Sequence, residues 1–165
     1  MNTFTVQDIV KESPCTDYPV HYLNELWNGK KSLTAREIFN LDIPVHDREW
    51  ALVRLLNPEI VAKWVSWLVS TIDIERICTA RLTPANEETV RALYKSAINN
   101  AYRANDNLQY LEGPVPHTRA WIVTYATRAS FEVAELVWLT QNRCLFNHTN
   151  ALPKLVEMHE EQTKD

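Results

Sequence analysis

Glycine is scarce, with 2 in 165 residues. Hairpin turns need positive φ, which glycine adopts at little steric cost, so a fold made of many tight β-turns is disfavoured. The three cysteines, Cys15, Cys78 and Cys144, form no CxxC pair, which excludes zinc-ribbon and thioredoxin-like motifs. Their odd number and wide spacing read as free, buried thiols in a reducing compartment. There is no basic run or stripe, so nucleic acid is not an expected partner. The formal net charge of −4 is shared by both halves of the chain and is too small for a DNA mimic. The opening Met1-Asn2-Thr3-Phe4 lacks the basic and apolar regions of a signal peptide. The longest apolar stretch is interrupted by Lys63, Ser66 and Ser70, so no membrane span is expected and the cytoplasm is the expected location. No repeat of solenoid length is visible.

Catalytic signatures are missing as well. GxSxG, a glycine-rich phosphate loop and HExxH do not occur. His21, His46, His117, His148 and His159 make no i, i+4 pair with one another, so no metal site is expected. Glu132 and Glu135 lie three apart on one helix, as in di-metal carboxylate sites. The Glu-x-x-His partners of such sites are lacking, and a solvated face is the plainer reading. His117-Thr118 and His148-Thr149 resemble a two-histidine phosphoesterase pair only loosely, because that chemistry needs the hydroxyl residue two positions on, facing the same side of a strand. No cofactor is expected.

What is present is helical. Hydrophobic residues make up 45% and charged residues 23%, which suits one folded domain over 1–165. Three blocks are expected: short helices in 1–46, central apolar helices in 47–82 and long helices in 83–162. Val6, Ile9 and Val10 share a face from Thr5 to about Glu12. Asp17 is placed to cap a helix that ends at Asn28-Gly29, a left-handed exit. Thr34-Ala35-Arg36-Glu37 reads as a capping box. Asp47 is expected to cap the next helix, and Asn57-Pro58 the one after. That fifth helix is apolar around most of its circumference and should be central. Thr83-Pro84 should start a long helix in which Val90, Leu93, Tyr94, Ala97, Ile98, Ala101, Ala104, Leu108 and Leu111 recur every three or four residues. Gly113-Pro114-Val115-Pro116 should end it, and Asn147 to Asn150 should break the helix that follows. The last helix should begin near Ala151, with its acidic end frayed. The fold class is therefore all-α, a single-domain multi-helix bundle of about seven or eight helices. The two long C-terminal helices should pack antiparallel through their alanines.

Six tryptophans are many for this length. Most sit among Leu and Val at helical spacing and belong to a core. Trp121 and Trp138 are the candidates for a partner-facing surface, since aromatic residues and Arg dominate binding hot spots. The best local candidate for a ligand contact is the start of the helix at His117, Thr118 and Arg119. There, free backbone N–H groups and a guanidinium could meet an anion.

The segment Asp47-Arg48-Glu49-Trp50-Ala51-Leu52-Val53-Arg54-Leu55-Leu56 resembles one in small helical proteins of phages and prophages, some described as immunity proteins. Cys15 after a first short helix, and Trp27 in the next, fit the same layout over about residues 10–100. Relatives of that kind carry a longer Pro- and Arg-rich linker than Arg81-Leu82-Thr83-Pro84. The likeness implies a phage or bacterial conflict protein, in the host cytoplasm if phage-encoded. The function expected is therefore a non-enzymatic binding protein that neutralises a host or competitor protein by occupying its surface. Two other classes stay open: a helical protein that sequesters a small anionic ligand or nucleotide, and an enzyme with scattered carboxylates and histidines. An exposed aromatic patch would favour the first, a groove with Arg and aromatics the second, and a deep polar pocket the third.

Overall fold

The computed structural model describes residues 2–79, 84–112, 117–140 and 151–163. The chain opens with a two-residue strand, β1 (Thr3–Phe4), followed by α1 (Val6–Lys11). Thr5 starts α1 through a capping box with Asp8, whose carboxylate is held below its ordinary pKa by the Thr5 backbone and side-chain hydrogen bonds. Helix α2 (Val20–Trp27) starts from Pro19 rather than from an Asp17 cap, and it ends as expected, with Asn28 and Gly29 both at positive φ. Strand β2 (Leu33–Thr34) pairs antiparallel with β1, a two-residue ladder the periodicity could not signal.

Thr34 and Glu37 form the expected capping box of α3 (Ala35–Phe39), which ends at Asn40. The Glu37 carboxylate also takes Lys30 at 2.7 Å, and these hydrogen bonds pull its pKa down to about 2. Helix α4 (Val45–Leu55) begins two residues before the expected cap, from Pro44. Asp47 is inside its first turn and accepts a 2.6 Å hydrogen bond from the Tyr18 hydroxyl, so its oxygen serves a distant partner instead of the helix end.

Asn57 and Pro58 start α5 (Pro58–Ser70) as their chemistry requires, with the Asn57 side chain accepting from the Glu59 N–H. Val61, Ala62, Trp64, Val65 and Leu68 on this helix are fully buried. Helix α6 (Ile74–Thr79) follows, then two helices of 23 residues each, α7 (Pro84–Asp106) and α8 (Thr118–Thr140), and last α9 (Ala151–Gln162). A short 3-10 turn at Asn107–Tyr110 extends α7. Helix α5 packs against α7, α8 and α9, so the block expected to be central is central. Its Trp64 indole donates to the Ala151 carbonyl at 2.8 Å, which lets the ring be buried without stranding its N–H.

Helices α7 and α8 run antiparallel. Ser96 and Asn100 reach Glu132, the Arg103 guanidinium lies 5.5 Å from the Tyr125 ring centroid, and the Thr118 hydroxyl faces the Tyr110 carbonyl. Ala97, Ala101 and Ala104 on α7 and Ala126 and Ala129 on α8 are all buried, and the two helices pack against each other. Ile98 does not join them; it is exposed, one position off the stripe. One buried apolar cluster runs from Val6 to Val156 and includes residues of all three blocks. The final helix does not fray at Glu160, because Arg36 donates to both oxygens of that carboxylate, at 3.0 and 2.7 Å. The Thr83 cap, the Gly113–Pro116 turn and the polar break at 147–150 lie outside the described residues.

Candidate functional site

At the start of α8, His117, Thr118 and Arg119 fall in three different settings. His117 is exposed at φ 70°, a left-handed conformation, and its carbonyl accepts the first helical bond, from Trp121. Thr118 is already inside the helix and 4% exposed, so His117 and not Thr118 occupies the cap position. Arg119 turns away from its own helix. Its Nη2 donates to the Arg54 carbonyl at 2.6 Å and lies 3.5 Å from the Leu56 carbonyl, at the C-terminal end of α4. A cation there complements the negative end of the helix dipole, so Arg119 closes α4. The open groove beside it also contains Asp8, Lys11, Glu12 and Arg54, a mixture of charge of both signs. Arg54 itself stacks on Trp50, with its guanidinium carbon 4.4 Å from the ring centroid.

Trp121 and Trp138 are both exposed, at 46% and 75%. Seventeen residues separate them, or about 25 Å along a helix, and they look in different directions. Trp121 lies on the side of α8 toward α7. Trp138 shares the other side with Phe131, seven residues earlier and 68% exposed. Phe131 was not singled out in the sequence, yet it falls outside the stripe of Ile122, Ala126, Ala129, Val133 and Leu136. That offset is readable on a helical wheel.

Beside Phe131 runs a groove of about 200 Å³ between α4 and α8, lined by Val45, Trp50, Val53, Thr127 and Ala134 among others. Val45 is exposed at its edge. Two hydroxyls of the groove are satisfied: Ser130 donates to Glu49 and Thr127 to the Val123 carbonyl. Phe131 lines this groove, and Trp138 is exposed seven residues further along the same side of α8.

A second cavity, of about 140 Å³, lies under α1 to α4. Its floor is Ile9, Leu23, Trp27 and Ile38, all buried; Pro14, Cys15, Tyr18 and Asp47 form the more exposed lip. Cys15 is thus a free, exposed thiol, contrary to the expected burial, while Cys78 is free and half-buried, with its pKa raised by that burial. The Tyr18 hydroxyl is held protonated by burial and by its bond to Asp47, both of which raise its pKa. Cys144 and His148 lie outside the described residues.

Among the described residues no group of His, Cys, Asp and Glu is arranged to hold a metal ion. Glu132, rather than being solvated, is held by Ser96 and Asn100, so its role is to tie α7 to α8. His159 is buried, 3% exposed, with Nδ1 unpartnered and a pKa lowered chiefly by burial. No described helix is long and apolar enough to cross a membrane. No family model, curated protein or solved structure matches the chain.

Proposed function

We propose that the protein is a non-enzymatic binding protein that docks a partner protein on the face between α4 and α8. The observation that carries this reading is the exposure of Phe131 in an apolar groove, with Trp138 exposed seven residues further along the same side of α8. Large aromatic side chains seated next to a preformed apolar concavity are typical of interface anchors, and contiguous patches of this kind are uncommon on surfaces that meet only water. Helix α8 beneath it packs on α5 and α7, which supports a face formed before binding. The likeness to phage and prophage helical proteins suggests the partner class, a host or competitor protein neutralised by surface coverage.

The double variant Phe131→Ser, Trp138→Ser tests this. Both side chains lie outside the core, so the melting temperature should stay close to that of the parent. Proteins retained from a host lysate by the parent should be lost with the double variant, and retained with Trp121→Ser. Retention of the same proteins by the folded double variant would overturn the assignment of this face.

A further inference from the structure

The cavity under α1 to α4 is apolar except at its lip, and the one charged side chain that lines it is Asp47. We propose that it is a binding site for a small organic cation, a primary ammonium group carried on a compact hydrocarbon body. Three observations lead there. The volume of about 140 Å³ is close to the roughly 150 Å³ at which an apolar protein cavity stays dry and accepts a benzene-sized molecule. The lining includes the aromatic side chains of Tyr18, Trp27 and Trp50, and aromatic rings attract cations through their quadrupole. Trp50 already holds one guanidinium, that of Arg54, from outside the cavity.

The third observation is the charge of the lip. Asp47 accepts from Tyr18 through Oδ2 at 2.6 Å, and its Oδ1 is 3.5 Å from Nε2 of the exposed His46. A carboxylate has about four acceptor positions, so this one has room for a further donor. Among the described residues no Lys or Arg lines the cavity to supply it. An anion would be repelled by Asp47, and a neutral hydrocarbon would leave that carboxylate beside an apolar ligand with nothing gained. An ammonium group at the lip, with its hydrocarbon body on Ile38, Leu23 and Trp27, satisfies both parts of the site. The cavity shares Trp50 with the α4–α8 groove but contains neither Phe131 nor Trp138, so Phe131→Ser with Trp138→Ser should leave it unchanged.

The test is a titration of the full chain with benzylammonium, benzyl alcohol and benzoate, followed by calorimetry and by the indole N–H signals of Trp27 and Trp50. Benzylammonium should bind about tenfold more tightly than benzyl alcohol, and benzoate should bind most weakly. In Asp47→Asn, which keeps an acceptor oxygen for Tyr18, the preference for the cation should disappear. Should that variant fail to fold, ionic strength gives the same information on the parent protein: added salt should weaken benzylammonium and leave benzyl alcohol unaffected. Equal affinity for the cation and the alcohol would overturn the proposal. So would the lack of saturable benzylammonium binding up to about 10 mM.

Discussion

Helices α5 and α8 are both rich in large apolar residues, and each carries two tryptophans, yet the two meet opposite surroundings. On α5, Trp64 is fully buried and its N–H has found the Ala151 carbonyl. On α8, Trp121 and Trp138 stand in solvent, while Ile122, Ala126, Ala129, Val133 and Leu136 form its buried stripe. The difference lies in where each ring falls around its helix. Helix α5 is covered by α7, α8 and α9, so Trp64 is enclosed. Helix α8 packs on α5 and α7 through a stripe that holds no tryptophan, and its two indoles fall outside it. A tryptophan on a core helix and one on a boundary helix can look alike in sequence while only the first contributes to folding.

The largest effect that separates the two helices should come from Trp64→Ala. It opens a large cavity and strands the Ala151 carbonyl, and should cost about 3–5 kcal/mol in denaturant unfolding. Trp138→Ala, measured the same way, should change stability by no more than about 0.5 kcal/mol. A comparable loss in both would erase the contrast.

Ala101→Glu tests the small-residue seam. Ala101 is buried between α7 and its neighbours, and an unpaired carboxylate there should cost on the order of 3 kcal/mol or more. An unchanged melting temperature would mean that the seam opens readily.

Arg119→Ala should give the smallest effect that is still measurable. Losing a cation from the end of α4 should cost about 1 kcal/mol, because the Arg54 and Leu56 carbonyls can turn to water. Arg119→Lys should recover part of that. If Arg119→Ala melts with the parent, the guanidinium is idle at the helix end.

The pH dependence should expose His159. Its folded-state pKa is depressed, so the unfolded chain takes up the proton first as pH falls. Its contribution is present above the unfolded value of about 6.5 and is lost as pH drops through the folded value. His159→Gln should flatten that part of the stability profile.

Local signals were legible wherever the chemistry was local. Thr34 with Glu37, Asn57 with Pro58, and Asn28 with Gly29 each act within a few residues, and each appears where its spacing places it. Spacing also revealed the α7–α8 pairing, since alanines recur on facing stripes. Contacts with remote partners leave no local signal. Asp47 has a cap's chemistry, but Tyr18, 29 residues away, claims its oxygen. The bond from Arg119 to the end of α4, more than 60 residues earlier, is equally silent in the local sequence. Asp17 has a cap's chemistry, but Pro19 sets the start of α2. The cavity, assembled from four short helices, has no linear trace at all. Phe131 was the exception, readable on a helical wheel but hidden among the more conspicuous tryptophans.

The bond from Trp64 to Ala151 and the pair Arg36–Glu160 join parts of the chain 87 and 124 residues apart. Translation delivers them in order, at about 5–20 residues per second. The residues of α3 and α5 therefore leave the ribosome on the order of 10 s before α9 can reach them. During that interval the nascent chain exposes its most apolar helix, with an indole N–H and a guanidinium waiting for acceptors not yet synthesised. The same closure that gives the finished molecule its central helix leaves that helix uncovered in the growing chain until α9 emerges.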